Sequence, residues 1–322
     1  MKLLLTGAFG NIGASTLEEL VNRGHHVRCF DMRTRATEQA ARRFVDRVEI
    51  AWGDLRRSED VAAAVKDRDV VLHIAFVIPK LSMTGVQSED KPNWARAINV
   101  GGTANLIHAL RTLSQAPRLI FTSSLHVFGQ TQDQPPPRTV ADPVKPIEHY
   151  AHHKVECEQM IRASGLVWTI LRLSAALPIR LILDPGMFDV PLDNRIEYVH
   201  SRDVGLALAN AVECGGVWGK TLLIGGGPKC RFYYRELVAR ILAAVGVGML
   251  PDKAFTKTPY SVDWLDTSES QRLLEYQHRT LDDYIGDTRR ALGAKLTLIK
   301  LFRPLVRYLM LRQSPYLRPA HA

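Results

Sequence analysis

A glycine-rich turn near the start of the chain constrains the fold more than any other feature. Gly7, Gly10 and Gly13 follow an apolar segment at residues 2–6 and open an amphipathic segment at residues 12–23. Glycines here allow a tight turn and let a pyrophosphate approach backbone N–H groups at the start of a helix, where the helix dipole favours anions. Alone, the pattern fits an ordinary strand–helix turn equally well, so its meaning depends on what the rest of the chain forms.

Apolar, strand-like segments alternate with helical patterns through the first half of the chain. Strands are predicted at residues 2–6, 26–31, 48–53, 70–75, 118–123, 167–173 and 221–224. Helices are predicted at residues 12–23, 58–65, 94–113, 150–163, 203–212 and 232–245. This alternation is typical of βαβ units, and it predicts an α/β Rossmann fold with a doubly wound parallel sheet.

The alternation becomes less regular after residue 173. At about 150 residues per domain, a chain of 322 residues is expected to form about two units. We expect residues 1–173 to form a dinucleotide-binding domain to which residues 200–225 return. Residues 174–199 and 226–285 then form a small, discontinuous substrate domain, and residues 286–322 a C-terminal tail.

The residues that follow the second and third strands indicate which dinucleotide fits. Asp31 lies 18 residues after Gly13, near the spacing of about 20 expected for a carboxylate that binds the adenosine ribose. Such a carboxylate repels a 2′-phosphate and favours NAD, whereas the nearby Arg33 and Arg35 leave NADP open. The residues expected to contact the cofactor are Gly7, Phe9, Gly10, Asn11, Ile12, Gly13, Asp31, Met32, Arg33, Asp54, Leu55, Ala75, Tyr150 and Lys154.

Three side chains have the chemistry needed to move a proton on and off an alcohol. Tyr150 and Lys154 lie four residues apart on a predicted helix and therefore on one side of it. A nearby ammonium should lower the pKa of the Tyr150 phenol from about 10 toward neutrality, as a general acid/base requires. Ser124, at the end of a predicted strand, is placed to hydrogen-bond the substrate oxygen.

The order of motifs along the chain resembles the extended short-chain dehydrogenase/reductase family, in its NAD-dependent epimerase/dehydratase group. The resemblance covers roughly residues 1–285 and rests on TGAFGNIG (6–13), GDL (53–55), HIA (73–75), NVGGTANL (99–106), SSLHVFG (123–129), YAHHK (150–154) and EYVHSRDV (197–204). It implies an NAD(P)-dependent enzyme that uses Tyr150 as acid/base, Lys154 to bind the nicotinamide ribose, and Ser124 to bind the substrate oxygen. Asn99 would support the site from its helix. The predicted helices at 94–113 and 150–163 would pair across the two-fold axis of a homodimer.

Two departures from that family bear on the substrate. Ser174 stands where nucleotide-sugar members usually carry an asparagine, and only residues 175–197, with Arg180 and Arg195, are present to grip a nucleotide. The expected pocket wall is apolar and comprises Phe76, Val77, Ile78, Pro79, Leu125, Leu177, Met187 and Phe188, with His126 and Ser174 as polar members. We therefore expect hydride transfer at a secondary alcohol or ketone of a small or lipophilic substrate. The alternatives are a nucleotide-sugar epimerase/dehydratase and a dinucleotide-sensing regulatory protein.

The positive charge of the chain is concentrated in the tail. Residues 286–322 contain eight Lys and Arg but one acidic residue, which accounts for seven of the nine net positive charges and disfavours a nucleic-acid-binding body. On a helical wheel, one face of residues 294–312 carries Leu298, Ile299, Phe302, Leu305, Val306 and Leu309, and another carries Lys300, Arg303 and Arg307. The apolar stripe fits either packing on the body or a second subunit, with the cations in water, or peripheral contact with an anionic membrane. Pro304 is expected to kink this helix or to start a second one.

The remaining composition points to a cytoplasmic protein without a metal. Cys29, Cys157, Cys214 and Cys230 lack the spacing of a zinc site or a disulfide framework. His149, His152 and His153 are spaced for metal ligation, but no suitably placed carboxylate completes a site. We expect neither a signal peptide before the first strand nor an apolar run of the ~20 residues that span a bilayer.

Overall fold

A computed structural model describes residues 1–79, 86–179 and 185–317. Its strands are β1 (Lys2–Thr6), β2 (His26–Asp31), β3 (Glu49–Trp52), β4 (Val70–His73), β5 (Arg118–Ser124), β6 (Trp168–Leu173), β7 (Arg195–Glu197), β8 (Thr221–Ile224) and β9 (Arg231–Tyr233). Its α-helices are α1 (Asn11–Asn22), α2 (Arg35–Ala41), α3 (Ser58–Ala64), α4 (Pro92–Arg96), α5 (Gly102–Arg111), α6 (His149–Arg162), α7 (Ser201–Glu213), α8 (Tyr234–Ala244), α9 (Ser268–Leu274), α10 (Leu281–Leu292), α11 (Lys295–Leu301) and α12 (Arg303–Leu311).

Seven parallel strands form the central sheet in the order β3-β2-β1-β4-β5-β6-β8. The order reverses direction at β1, which pairs with both β2 and β4. In a doubly wound sheet, ligands bind in the crevice at the carboxyl ends of the strands beside such a reversal. The predicted Rossmann class is confirmed, and each of the seven predicted strands corresponds to a strand of the sheet.

Apolar side chains cover both faces of the sheet, as continuous apolar strands require. On one face, Leu3 and Leu5 of β1 pack with Leu17 of α1 and Leu208 of α7. On the other face, Phe121 of β5 belongs to a second core that includes residues of α3, α5 and α6. Gly205 lets α7 approach α1 closely, because a Cβ atom at this position would lie 2.7 Å from the backbone of Ser15. This packing fixes α1, and hence the glycine turn before it.

Several elements differ from the sequence-based expectation. The helix expected at 94–113 is α4 and α5 joined by a π-helical turn, Ala97–Gly101. The helix expected at 232–245 begins two residues later, because Arg231–Tyr233 forms β9 and pairs antiparallel with β7. Helix α2 has no counterpart in the prediction, since its short sequence lacks an apolar periodicity.

A third core lies beneath β7, β9 and α8 and extends into the tail. Pro304 lies in the first turn of α12. It therefore starts a second helix in the tail, which is one of the two outcomes expected for this proline. Ile299, Val306 and the buried Met310 pack on this third core. The apolar side chains left exposed on α11 and α12 are Leu298, Leu301, Phe302, Leu305, Tyr308 and Leu309, which we call the apolar tail face.

Two tail arginines do not lie free in water, contrary to the packing interpretation of the stripe. Arg307 Nη1 donates to the carbonyl oxygens of Val247, Gly248 and Met249 at 2.8–2.9 Å, and Arg303 Nε donates to Val247 at 3.1 Å. These carbonyls follow the end of α8, where backbone acceptors need external donors. The tail is therefore attached to the body through its cationic side as well as its apolar side. Across the described ranges, no helix has the length and apolar character to cross a bilayer.

Candidate active site

The glycine turn between β1 and α1 has the close backbone approach that its glycines predict. Gly7 has a φ of +68°, and a Cβ atom there would lie 2.8 Å from Ala75 Cα. A Cβ atom at Gly13 would lie 2.0 Å from the carbonyl oxygen of Gly7. Gly10 directly precedes α1, and because it has no side chain, no cap hydrogen bond occupies the backbone N–H groups in the first turn of the helix. These donors are therefore available to an anion at the edge of the cleft.

Asp31, at the end of β2, fixes the glycine turn from the side. Its carboxylate accepts hydrogen bonds from the backbone N–H groups of Phe9, at 3.0 Å, and Met32, at 2.9 Å. Burial raises the pKa of Asp31 to about 6, although both hydrogen bonds act in the opposite direction. Asp31 also lines the cleft, so a ligand bound there can donate further hydrogen bonds to its carboxyl group.

The expected cofactor residues in the glycine turn and after β2, β3 and β4 meet at the same end of the cleft, except Arg33. The lining includes Gly7, Phe9, Gly10, Asn11, Ile12, Gly13, Asp31, Met32, Asp54, Leu55 and Ala75. Arg33 instead extends outward, with 71% of its side chain exposed, and pairs with Glu38 at 2.7 Å. Arg43, just after α2, lines this end of the cleft and was missed because α2 was not predicted. Asp54 binds Arg56, and this hydrogen bond holds the pKa of the Asp54 carboxyl below its usual range despite partial burial.

Tyr150 and Ser124 line the cleft where β5 and α6 approach each other. Glu89 holds the start of α6 by accepting hydrogen bonds from the backbone N–H groups of His149, at 3.1 Å, and Tyr150, at 2.9 Å. Burial raises the pKa of Tyr150 to about 12, against a hydrogen bond with Ser124 that lowers it. The phenol therefore carries its proton in this structure and can donate to an oxygen bound beside Ser124.

Lys154 is not at the cleft surface, and its environment differs from the expectation. Its Nζ atom donates to the carbonyl oxygen of Thr122 at 2.6 Å and lies 3.4 Å from the centroid of the Phe76 ring. Burial lowers the pKa of Lys154 to about 7. The expected lowering of the Tyr150 pKa by a neighbouring ammonium is thus not seen, because burial dominates both groups. The Phe76 ring also stands edge-to-face against Tyr150, with 5.7 Å between centroids.

Asn99 acts through the backbone of the cleft wall. It lies in the π-helical turn between α4 and α5, and its amide accepts from Val77 N at 2.7 Å and donates to Val77 O at 3.0 Å. This pair of hydrogen bonds fixes the segment that carries Phe76 and Ile78. A π-helical turn inside a helix often marks a functional position.

The substrate end of the cleft is lined mainly by apolar side chains. Eight of the ten residues expected in its wall line it: Phe76, Val77, Ile78, Pro79, Leu125, His126, Ser174 and Leu177. Pro178, Ile179 and Tyr260 are further members that sequence reasoning missed. Met187 and Phe188, also expected in the wall, are not among the lining residues. Phe188 is buried in the third core against Phe255, with centroids 5.3 Å apart.

His126 stands beside Tyr150 at the substrate end. Its Nδ1 atom lies 3.0 Å from Glu148 Oε2. Its ring is nearly perpendicular to those of Tyr150 and Tyr260, with centroids 5.7 Å and 5.4 Å apart. Tyr260 comes from a distant part of the chain, so no local sequence signal places it here.

Charged side chains lie at the opposite end of the cleft from Tyr150. Among the described lining residues, the charged ones are Asp31 at the end of β2, Arg43 after α2 and Asp54 after β3. Arg195, a candidate for nucleotide binding, instead forms a 2.7 Å ion pair with the buried Asp263. Arg180, the other candidate, lies outside the described residues. His149, His152 and His153, whose spacing alone would suit a metal, lie in different environments, since His153 is buried and the other two are exposed.

Curated relatives that match the chain include a steroid dehydrogenase and a nucleotide-sugar epimerase. The chain is 35% identical over 123 residues to a 3 beta-hydroxysteroid dehydrogenase/Delta 5-->4-isomerase of Mycobacterium tuberculosis, covering 38% of this chain and 31% of that protein. It is 29% identical over 181 residues to a UDP-glucose 4-epimerase of Lactobacillus helveticus, covering 53% of this chain and 51% of that protein. The chain thus spans about a third to a half of the length of these relatives.

Solved structures share the fold over nearly the whole chain. A short-chain dehydrogenase/reductase superfamily protein from Agrobacterium tumefaciens with bound NAD has a TM-score of 0.74 at 18% identity, covering 94% of this chain and 100% of that one. A UDP-glucose 4-epimerase from Bifidobacterium longum in complex with NAD+ and UDP has a TM-score of 0.74 at 20% identity, covering 91% and 98%. At such identities the likeness shows the fold alone.

The sheet topology, the glycine turn and the Ser124–Tyr150 pair together define a protein of the dinucleotide-binding α/β class. Residues 3–177, more than half of the chain, match the sequence profile of the NAD dependent epimerase/dehydratase family. The chain belongs to this family.

Proposed function

We propose that this chain is an NAD-dependent enzyme that transfers a hydride between the nicotinamide and a secondary alcohol or ketone carbon of a lipophilic substrate. The observation that carries the proposal is the position of Ser124 and Tyr150 in the apolar end of a cleft of about 900 Å³. The other end presents the glycine turn and Asp31. A dinucleotide that extends from Asp31 toward Tyr150 would bring its nicotinamide to the serine–tyrosine pair.

In this proposal the cofactor supplies or accepts the hydride, and the chain's own residues move the proton. Ser124 and Tyr150 hold the substrate oxygen, and the Tyr150 hydroxyl gives its proton to a ketone oxygen during reduction or takes one from an alcohol during oxidation. Lys154 is one helical turn from Tyr150. Phe76, which covers the Lys154 ammonium, must move for Lys154 to reach a ribose hydroxyl.

The lipophilic substrate is favoured over a nucleotide sugar by the lining of the cleft. Apolar side chains surround Tyr150, and Arg195 is engaged with Asp263. The similarity to steroid dehydrogenases supports the same choice, and 3β-hydroxysteroids are therefore the first substrates to test. The alternative, a nucleotide-sugar epimerase, is supported by the similarity to UDP-glucose 4-epimerases. Epimerisation of UDP-glucose without accumulation of NADH would identify that alternative.

Residues 174–199 and 226–285 are proposed to form the unit that covers the substrate. Leu177 and Tyr260, one from each segment, both line the cleft, which supports this division. The four cysteines are free thiols, in keeping with a cytoplasmic location.

Cofactor choice provides one prediction. Asp31→Ala should reduce the ratio of NAD affinity to NADP affinity. The variant lacks the carboxylate that repels a 2′-phosphate, while the positive charge of Arg43 remains at the same end of the cleft. Arg33→Ala is the matched control, since Arg33 points away from the cleft. In calorimetric titrations, NAD affinity should also decrease below a pH of about 6, where Asp31 becomes protonated. Tighter binding of NADP than of NAD by the unmodified protein would contradict this assignment.

A second prediction concerns assembly. We propose a homodimer in which α5 and α6 meet their symmetry mates, as the family resemblance implies. Ala104 lies exposed on α5, so Ala104→Arg should dissociate the dimer, whereas Ala62→Arg, at an exposed position on α3, should not. Light scattering that detects only a 36.1 kDa species of the unmodified protein at micromolar concentration would exclude this dimer.

A third prediction concerns the tail. We propose that the apolar tail face rests on an anionic membrane surface, because the same segment of the chain carries exposed cations at Arg289, Arg290, Lys295, Lys300 and Arg312. Phosphatidylserine vesicles should co-sediment the protein at low salt and release it at high salt. Phe302→Ser with Leu305→Ser should abolish binding, and Val45→Ser with Val144→Ser, at exposed positions elsewhere, should not. Unmodified protein that stays in the supernatant at low salt would refute the proposal.

A further inference from the structure

Arg172 is a buried cation in the strand next to Ser124, and it is not among the described residues that line the cleft. It belongs to β6, only 4% of it is exposed, and its partner in β5 is Ser123, the residue before Ser124. Burying a cation is costly unless the charge is paired and hydrogen-bonded. Two contacts of the guanidinium offset this cost, and each leads to an element that carries a residue of the site.

The first contact is with α6, the helix that carries Tyr150 and Lys154. Arg172 Nε and Nη2 donate to the two carboxylate oxygens of Glu158 at 2.9 Å and 2.7 Å. Glu158 lies one helical turn after Lys154 and is 1% exposed. Burial alone would raise the pKa of Glu158, but hydrogen bonds and nearby positive charge, mainly those of Arg172, outweigh it and the pKa is lowered. A two-pronged pair of this kind fixes both the distance and the orientation of the helix relative to β6.

The second contact is with the short 3-10 turn Leu125–Phe128, which follows β5. The Ser124 side chain caps the start of this turn by accepting a hydrogen bond from His126 N at 3.3 Å. At its end, the buried Phe128 ring lies under the Arg172 guanidinium, with 5.0 Å between Cζ and the ring centroid. A cation within about 6 Å of an aromatic face is attracted to it. Arg172 therefore holds the end of the turn that begins at Ser124.

We propose that Arg172 is a positioning residue, which keeps the Tyr150 and Ser124 hydroxyls in register by binding α6 and the turn after β5 from one strand. The proposal rests on the proposed function for the roles of those two hydroxyls. A planar guanidinium can bind a carboxylate through two donors and stack on a ring at the same time, whereas a lysine ammonium cannot. The type of cation, and not only its charge, is therefore what the arrangement requires.

Stability alone does not account for the buried pair of Arg172 and Glu158. Replacing a buried ion pair by apolar side chains of similar volume is often neutral or stabilising, because both charges must be desolvated in the folded state. Catalysis is far more sensitive to geometry, since a displacement of about 1 Å can cost about 100-fold in rate. Loss of the pair should therefore appear in turnover rather than in the free energy of unfolding.

Arg172→Lys tests the proposal, because it keeps the charge beside Glu158 but removes the planar group. The holoenzyme is assayed for oxidation of dehydroepiandrosterone with NAD+, and we expect kcat to fall at least about 10-fold. NAD affinity, measured by calorimetry, should not change, since the glycine turn and Asp31 belong to β1 and β2. Glu158→Met with Arg172→Met, which leaves no unpaired buried charge, should give the same loss of kcat and a free energy of unfolding no lower than that of the unmodified protein.

Arg162→Lys is the matched control. Arg162 Nη2 donates to the same Glu158 carboxylate at 2.9 Å, but its other hydrogen bond goes to Thr221 Oγ1 of β8, also at 2.9 Å, and its side chain is 37% exposed. Its kcat should match that of the unmodified protein.

Hydrogen exchange of the full chain, followed by mass spectrometry, gives a readout that needs no turnover. In Arg172→Lys, amides of residues 125–129 and of the first turns of α6 should exchange faster, while those of β1 and β2 should not change. Arg162→Lys should leave all of these segments as they are.

Normal kcat in Arg172→Lys, or an equal loss in Arg162→Lys, would overturn the role of Arg172. Exchange that accelerates evenly along the chain would also overturn it, because this reports general destabilisation. If the unmodified protein does not oxidise the steroid, the proposed hydride transfer fails for this substrate. Exchange in the two segments then decides the role of Arg172 by itself.

Discussion

Tyr150→Phe is expected to lower turnover by about 100-fold or more. The substitution removes the hydroxyl that moves the proton but keeps the ring. The edge-to-face contacts of that ring with Phe76 and His126 should therefore persist. The affinity for NAD should change little, because the glycine turn and Asp31 are untouched. Steady-state rates with a secondary alcohol and calorimetric titration with NAD measure the two effects separately.

Tyr233→Phe is the matched control for this prediction, since Tyr233 is an exposed tyrosine of β9 outside the cleft. Its turnover should equal that of the unmodified protein. Near-normal turnover of Tyr150→Phe would remove Tyr150 from the acid/base role. An equal loss of turnover and NAD affinity would instead indicate that the substitution disturbs the cofactor site.

Gly13→Ala is expected to destabilise the protein by about 2–3 kcal/mol. The added Cβ atom would clash with backbone atoms, which cannot move aside as a side chain could. The added Cβ atom would lie 2.0 Å from the Gly7 carbonyl oxygen and 2.8 Å from the Ala8 carbonyl carbon. The turn must therefore open, which also displaces the N–H groups that would hold a pyrophosphate. Urea unfolding of the free protein measures the free-energy loss.

Gly10→Ala is the control in the same turn. Its Cβ atom would meet only the Gly7 carbonyl oxygen, at 3.4 Å, and the φ of Gly10, −76°, suits any residue. We expect an unfolding free energy close to that of the unmodified protein. If Gly13→Ala and Gly10→Ala have the same free energy of unfolding, close backbone packing is not the reason that position 13 requires glycine.

The sheet was predictable because its signals are local. Each parallel strand is a short apolar run bounded by turn residues, and the glycine turn marks the first strand–helix junction unambiguously once the alternation is seen. Ser124 and Tyr150 were predictable for the same reason, since each lies at the end of an element with a readable boundary. Their convergence follows from the parallel topology, which collects the carboxyl ends of all strands at one edge.

The features that were missed depend on contacts between distant segments. Tyr260 reaches the cleft from beyond β9, and Arg43 reaches it because of the short helix α2. The shielding of Lys154 by Phe76 arises from packing between β5, α6 and the segment after β4. No spacing rule contains this information. The tail shows the same limit, since a helical wheel separates its faces but does not reveal that Arg307 binds the carbonyls after α8.

Formation of NADH from NAD+ and a 3β-hydroxysteroid is the most direct test of the central claim. Purified protein is incubated with NAD+ and dehydroepiandrosterone in one series and with NAD+ and UDP-glucose in another, while the absorbance of reduced nicotinamide is followed. Hydride transfer to NAD+ at a lipophilic alcohol predicts steady accumulation of NADH with the steroid, its loss in Tyr150→Phe, and none with UDP-glucose. Conversion of UDP-glucose to UDP-galactose, with no NADH from the steroid, would contradict it.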